Sequence, residues 1–433
     1  MVKESREHWL VLSYWANVDG MACSHHIDDR LKHLARLGVE AEVITGTCGP
    51  RPGGWGRRWH RVPSVTATGY QFEVRQLTRR LRKPWRRLVR LLLTLPVLPL
   101  YSMEKHVARL HSTFWWCISA AAAGLWSTRN GRHELIYSTG GEMSAHVAAA
   151  LVARVRRLPW IAEMQDPIVY QGFGRSSFSR YVARRVERLV HSEAAAVVYV
   201  TETAAHRAKL RTNGRARCLV IRPGAEPLSR LGARERGSKM QVMHVGTLRR
   251  DRQAETLLEA LRRLAVRLPE ARDEIKVSLI GRMDGPTRRA MERFPWPNMV
   301  TIVGEVGRDL AHAETMEADL LLLIQHNSPV SAETIPSKLC EYLLSGRPVL
   351  GLIHHNPELE ALLVEAGHEC AEVDDVPGIE RALERAHERW RKGALYTRPS
   401  LPYTAEGAAR NLIEWSCCLR GSEAEERRER GNQ

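Results

Sequence analysis

The chain has 433 residues, with 65 Lys+Arg against 49 Asp+Glu, a formal charge of +16, 44% apolar and 26% charged residues. That composition excludes a disordered chain and predicts two or three globular domains. The positive charge asks for an anionic partner: nucleic acid, an anionic membrane surface or a phosphorylated substrate. It belongs to one half of the chain. Residues 1–225 hold 35 Lys+Arg and 16 Asp+Glu, whereas residues 226–433 hold 30 and 33. The eight cysteines form no C-x-x-C pair, which excludes a zinc spacing and a compact disulfide framework. The N-terminus is polar up to Glu7, and the apolar stretches Leu91–Tyr101 and Phe114–Trp126 are shorter than the roughly 18–20 residues of a spanning helix. These features predict a reducing, cytoplasmic chain with neither leader nor transmembrane segment.

In chain order, His8–Trp15 reads as a buried strand, Ser24–Leu37 as a helix with Ile27, Leu31, Leu34 and Leu37 on one face, and Glu40–Thr45 as a second strand. This strand–helix–strand unit opens a parallel α/β sheet. Residues 46–72 read as an irregular excursion. From Arg75 to Arg90 there are eight basic residues and no acidic one, with Leu77, Leu81, Trp85 and Leu88 among them, followed by Leu91–Leu93. The run suits a solvated helix face or, with its interleaved apolar residues, a membrane surface. The alternation resumes with strand 134–138, helix 144–155, strands 160–163 and 194–200, helix 203–210 and strand 217–221. A Gly/Pro/Arg-rich linker covers 222–239. A second α/β series follows: strand 241–245, helix 255–266, strands 276–280, 299–303 and 320–324, helix 336–344, strand 349–353, and helices 357–366, 377–390 and 406–419. Residues 421–433 read as a frayed tail. The expected domains are 1–225, 226–402, a helix at 403–420 and the tail at 421–433.

Three constellations carry chemistry. In the first, Glu333 and Glu341 flank a turn where Pro336, Ser337 and Lys338 open a helix, and Ser345-Gly346-Arg347-Pro348-Val349 leads into a strand. Free N–H groups and the helix dipole make such a turn an anion site. In the second, strand-ending Gly246 is followed by Arg249, Arg250 and Arg252, with Gly281-Arg282 and Gly304-Glu305-Val306 at later strand ends. The third is N-terminal: Asp19-Gly20 before His25 and His26, then Gly140-Gly141 with His146, then Glu163 and Asp166 at a strand end. Ligands of open parallel sheets bind at carboxyl ends of strands. His25 is equally suited to capping its helix, His146 to packing, and Asp166 before Pro167 to a turn.

The Glu333–Glu341 string, with Pro336 three residues after the first Glu and the Ser-Gly-Arg-Pro-Val ending, resembles the retaining GT-B-fold glycosyltransferases of family 4. Thr334 stands where the family usually has Gly, Thr247 where it often has Arg, and Gly20 alone where it usually has two glycines. The resemblance implies two Rossmann-like domains facing across a cleft, with a last helix crossing back to the N-terminal domain. It implies a nucleotide-diphosphate-sugar donor in the C-terminal domain, against Gly20, Gly246, Arg249, Arg250, Arg252, Gly281, Arg282, Val306, Pro336, Ser337, Lys338 and Glu341. The acceptor would meet His25, His26, Gly140, Gly141 and Glu163, and the catalytic set would be Glu333, Arg252, His146 and Asp166. No D-x-D is present, so metal-independent transfer is expected and no cofactor. The acceptor implied is a lipid-linked saccharide in surface polysaccharide or glycoconjugate synthesis, met by a peripheral protein at the inner face of the membrane through residues 75–101. The competing readings are a nucleotide-sugar epimerase or hydrolase of the same fold and a non-enzymatic basic membrane-binding protein. Nucleic acid is not an expected partner, because no RNP or helix-turn-helix signature occurs. No G-x-G-x-x-G follows a predicted strand, which speaks against a nicotinamide enzyme.

Overall fold

The computed structural model describes residues 7–18, 22–48, 58–103, 106–107, 113–170, 176–214, 216–226, 237–248, 254–395 and 403–431. The chain divides into two compact units, Met1–Pro223 with Ala405–Gln433, and Gly224–Thr404. The first contains β1 (Glu7–Leu12), α1 (Ala22–Arg36), β2 (Val39–Thr45), β3 (Arg58–Arg61), α2 (Ala67–Leu77), α3 (Lys83–Thr94), α4 (Leu98–Met103) and α5 (Trp116–Ser127). It continues with β4 (Leu135–Ser138), α6 (Met143–Arg156), β5 (Trp160–Met164), α7 (Ser177–Glu193), β6 (Ala196–Tyr199), α8 (Glu202–Thr212) and β7 (Arg217–Val220). The second contains β8 (Met240–Val245), α9 (Ala254–Arg267), α10 (Ala271–Glu274), β9 (Ile275–Ile280), α11 (Gly285–Glu292), β10 (Val300–Gly304), α12 (Arg308–Met316) and β11 (Leu320–Ile324). After it come α13 (Lys338–Ser345), β12 (Val349–Ile353), α14 (Pro357–Glu365), β13 (Glu369–Glu372) and α15 (Val376–Arg391), and the last helix, α16 (Ala405–Gly431), rejoins the first unit.

Each unit is one all-parallel sheet with helices on both faces. The strand orders are β3-β2-β1-β4-β5-β6-β7 and β10-β9-β8-β11-β12-β13. Both run outward from a reversal point, between β1 and β4 in one and between β8 and β11 in the other. Crossover helices leave on opposite faces there, and their loops open a crevice at the carboxyl ends of the strands. The doubly wound fold expected from the sequence is the fold found.

Strand residues alternate between two buried faces. Leu10, Leu12, Ile136, Trp160 and Ala162 pack under α5, α6 and α7, while Trp9, Val11, Leu135, Tyr137 and Ile161 pack under α1 and α16. A β-carbon at Gly124 of α5 would lie 2.7 Å from Cγ2 of Val152, so that glycine sets how closely α5 meets α6. The second unit closes over Leu257, Leu261, Leu264, Leu383 and Trp390 of α9 and α15. Its two chain crossings meet: the Ala225 amide donates to the Tyr403 carbonyl at 3.2 Å, and both residues pack with Cys340 and Leu344 of α13.

Several sequence expectations are corrected. Residues 46–72 are not wholly irregular: β3 pairs with β2 as an edge strand, Glu42 opposite Arg58 through Thr45 opposite Arg61. The predicted first strand stops at Leu12, because Tyr14 and Trp15 turn inward to meet Trp116 and Phe72 edge to face. Helices α7, α11 and α12 and strand β13 fill stretches with no assigned element. Helix α13 begins at Lys338, so Pro336 and Ser337 precede it rather than opening it. The backbone of α16 stays helical through Gly431 where a frayed tail was expected.

Ala408, Ala409, Leu412 and Leu419 of α16 share a cluster with Ile27, Leu31 and Leu34 of α1. Truncating Leu412, which is buried, to Ala is expected to lower the unfolding free energy of the first unit by about 2–5 kcal/mol in urea titration. A change below about 0.5 kcal/mol, the scale of a surface substitution, would show that α16 is not seated there.

Candidate functional site

The carboxyl ends of β8, β9 and β10 finish in glycines with positive φ: Gly246 (147°), Gly281 (131°) and Gly304 (91°). They lock in sequence, the Gly246 amide donating to the Ile280 carbonyl at 2.6 Å and the Gly281 amide to the Gly304 carbonyl at 2.7 Å. A β-carbon at Gly281 would sit 2.2 Å from the Gly246 carbonyl oxygen. One at Gly246 would sit 1.5 Å from Nζ of Lys338. The ammonium at the head of α13 therefore lies over the end of β8, in space that any side chain at 246 would fill. Tyr342, one turn along α13, fixes the same strand end by accepting the Val245 amide at 3.1 Å.

The loop leading to α13 is held from below by two buried amides. Gln325 Nε2 donates to the carbonyls of Ser331 (3.2 Å) and Thr334 (3.1 Å), and Asn356 Nδ2 donates to the same pair (2.6 and 2.9 Å). Glu333 lies between those carbonyls and is buried. The Gln325 Oε1 accepts the His354 amide at 3.2 Å, and Asn356 Oδ1 accepts the Leu359 amide as the cap of α14. Sequence reasoning missed both amides, since uncharged side chains at strand and helix ends carry no motif. The Asn356-Pro357 step, a cap followed by a first-turn proline, was the available signal for one of them.

Glu341 is half-buried, with Oε1 3.3 Å from Nε2 of His312 and 3.8 Å from Nη2 of Arg308, both on α12. Arg282 is exposed and paired with Glu305 at 2.9 Å, and Val306 is half-buried just beyond β10. Pro336 is half-buried and Ser337 exposed. The expected loop cations Arg249, Arg250 and Arg252, and Gly20, lie outside the described residues.

In the first unit the corresponding strand ends are filled by the protein itself. Glu163 of β5 is buried and every acceptor position is occupied. Arg30 Nη2 (2.8 Å) and His26 Nε2 (3.2 Å) meet one oxygen; Thr139 Oγ1 (2.5 Å) and the Tyr137 hydroxyl donate to the other. Burial alone would raise its pKa, but His26 and Arg30 overcome that and hold the carboxyl well below the usual range. His146 is wholly buried on the other face, its Nδ1 2.8 Å from Ser138 Oγ, which also accepts the Trp160 indole at 2.8 Å. Burial lowers its pKa to about 4. Two expectations are corrected here. Glu163 is a positioning group with no oxygen left for an acceptor, and His146 is a neutral interior residue, not a group that touches substrate. Asp166 and Gly141 are exposed beyond β5 and β4, Gly140 (φ 109°) is buried against Ser13, and His25 and His26 are half-buried on α1.

Residues 24–224 match the family model described as glycosyl transferase 4-like domain. Solved structures similar across the whole chain include Anabaena HepE in complex with UDP-glucose (14% identity, 96% of this chain and 99% of that one, TM-score 0.59). They also include the sucrose-phosphate synthase of Thermosynechococcus elongatus (14%, 99% and 100%, 0.59) and TarM (7%, 96% and 100%, 0.61). Over residues 24–224 the chain is similar to a glycosyl transferase 4-like domain, and over its whole length it has the GT-B fold. No curated protein matches the chain in sequence.

Within this GT-B chain the interior His146 gives a pH signature. Its folded pKa lies below the unfolded value of 6.5, so its contribution to stability is complete above pH 6.5 and is lost as pH falls towards 4. Between pH 7 and pH 5 it is expected to remove about 2 kcal/mol, and His146→Gln should lose correspondingly less over that interval in urea titration. Identical pH slopes for both proteins would contradict the assignment.

Proposed function

We propose that this chain is a retaining glycosyltransferase that moves a sugar from a nucleotide-diphosphate sugar to an acceptor hydroxyl, the acceptor being a lipid-linked saccharide in surface polysaccharide or glycoconjugate synthesis. The observation that carries the donor side is the Lys338 ammonium over Gly246, at the reversal point of the second sheet, with Glu333 and Glu341 at the two ends of the same loop and helix. A diphosphate there would be met by that cation and by the first-turn amides of α13. Anabaena HepE, a similar structure, was solved in complex with UDP and with UDP-glucose, which favours a nucleoside-diphosphate donor.

In the proposed reaction the acceptor oxygen bonds to the anomeric carbon on the face the diphosphate leaves. The anomeric carbon–oxygen bond breaks with its electron pair going to the phosphate, and the acceptor proton passes to that phosphate oxygen. Lys338 and Arg252 offset the charge that develops on the leaving group. Glu333 orients the transferred sugar and Glu341 the ribose. No enzyme nucleophile is invoked. Asp166, exposed just beyond β5, remains a candidate of the catalytic set, and His25, His26, Gly140 and Gly141 remain the acceptor-side candidates. The reading places the protein at the inner face of the membrane as a peripheral enzyme.

Glu341→Ala and Arg252→Ala are each expected to reduce transfer by about 10²-fold or more without unfolding, and proton NMR of the product should show the donor's anomeric configuration. Full activity in both variants would overturn the donor assignment, and an inverted anomer would overturn retention. Donor incubated alone should stay intact; isomerised or hydrolysed sugar at turnover rates would favour an epimerase or hydrolase.

Transfer is also expected to survive EDTA. A loss restored by a divalent cation would overturn metal independence and direct attention to His354, His355 and Glu372. Among the described residues these are the one group able to hold an ion, with ligand atoms all within 4.8 Å of one another.

A further inference from the structure

From Thr78 to Met103 the first unit carries helices that bury almost nothing. No residue of α3, of the turn at Leu95–Val97 or of α4 is buried. At about 100° per residue, Trp85, Leu88, Leu91 and Leu92 of α3 fall within one arc, and Lys83, Arg86, Arg87 and Arg90 fall within the opposite one. The apolar arc is open: Trp85 is 64% exposed, Leu91 58% and Leu92 63%. It continues past the helix through Leu95, Leu98, Leu100 and Met103, all exposed. A soluble protein rarely leaves an apolar surface of this extent without a partner.

The helix is held in a defined place. Arg90 Nε donates to Thr78 Oγ1 at 2.7 Å and its Nη2 to the Arg75 carbonyl at 3.0 Å, which staples α3 to the end of α2. Thr78 Oγ1 in turn donates to the Val74 carbonyl at 2.6 Å. The stripe is therefore presented by the fold and is not a loose tail.

We propose that α3 and α4 dock this unit on an anionic lipid bilayer, α3 lying in the interface with Trp85, Leu88, Leu91 and Leu92 among the acyl chains and its cations at the headgroups. Charge complementarity selects this occupant. The segment from Arg75 to Arg90 has eight cations and no acid, so a second copy would bring like charge against like. A nucleic acid would satisfy the cations and leave the leucines in water. No helix among the described residues is long and apolar enough to cross a membrane, so docking is along the surface. The proposal deepens the acceptor side of the function proposed above, because a lipid-linked acceptor is reached from a bilayer. Its test does not depend on transfer.

The full chain is sedimented with sucrose-loaded vesicles of phosphatidylcholine containing 30 mol% phosphatidylglycerol, and with phosphatidylcholine alone. We expect binding to the anionic vesicles at least 10-fold stronger than to the neutral ones, and at least 10-fold weaker in 0.5 M than in 0.1 M salt. The combined Arg79→Gln, Arg80→Gln, Arg86→Gln and Arg87→Gln variant should lose at least 10-fold, with Arg90 retained as the staple. Leu88→Ser with Leu92→Ser should lose as much at low salt, which a purely electrostatic contact would not. These side chains are exposed, except the half-buried Arg86, and unchanged thermal midpoints verify folding. Absence of binding to anionic vesicles, or unchanged binding in the serine variant, would overturn the proposal. So would a dimer dissociated by the serine substitutions, or binding to vesicles abolished by duplex RNA at equal charge. Absence of vesicle binding by the native chain, with transfer to a soluble acceptor intact, would sink the docking alone; docking by the native chain without transfer would sink the enzymatic reading alone.

Discussion

Lys338 can reach the end of β8 only because residue 246 has no side chain, and that one steric fact organises the second unit. The glycine backbone turns at positive φ, Gly281 packs against its carbonyl, and the ammonium occupies the space left over. Around this contact the fold supplies rigidity rather than charge. Tyr342 pins the strand end, and Gln325 and Asn356 hold the two carbonyls on either side of Glu333. A half-buried cation held by packing, next to the amide-rich start of a helix, is a preorganised place for phosphate charge, because little reorganisation is left to be done when the charge arrives.

The two units share a topology and use its reversal point in opposite ways. In the second unit, among the described residues, the crevice at the end of β8 is edged by glycines and the Lys338 ammonium. In the first, the ends of β4 and β5 are closed by a saturated network in which Glu163 accepts from Arg30, His26, Thr139 and Tyr137. Breaking a buried pair of this kind costs more than forming it gains, so the network fixes α1 over the sheet and leaves no reactive carboxylate. Eight of the 35 cations of the first half stand between Arg75 and Arg90 with no acid among them, and four of these lie on α3, which buries nothing and exposes its leucines.

The sequence made the fold legible wherever hydrophobic period and turn chemistry agreed. Strands at Lys276–Ile280 and Leu320–Ile324 and helices at Glu255–Val266 and Pro357–Ala366 lie within one or two residues of β9, β11, α9 and α14. Elements were lost where the pattern is diluted. β3 is an edge strand, Arg-Trp-His-Arg, with no buried residue. α7 carries Arg180, Arg184, Arg185 and Arg188 among its apolar residues and buries Ala183, Val186 and Val190 on a narrow stripe.

The candidate site was half legible for a different reason. Motif spacing singled out Glu333, Lys338 and Glu341, because they lie within nine residues of one another, and the structure sets Lys338 over Gly246. It misread Glu163 and His146, because a polar residue at a strand end looks the same whether its partners are ligand or protein. Two of the four partners of Glu163, His26 and Arg30, stand on α1 more than 130 positions earlier, and only the folded chain brings them to it.

The central claim is that the Lys338–Gly246 contact is a nucleoside-diphosphate site. Thermal shift of the full chain against UDP, GDP, ADP, CDP and their sugars tests it most directly, because a bound ligand raises the midpoint by mass action. One nucleoside diphosphate is expected to raise the midpoint of the native chain. The rise should be abolished in Lys338→Ala, whose own midpoint stays near native. No rise with any nucleotide, or the same rise in Lys338→Ala, would contradict it.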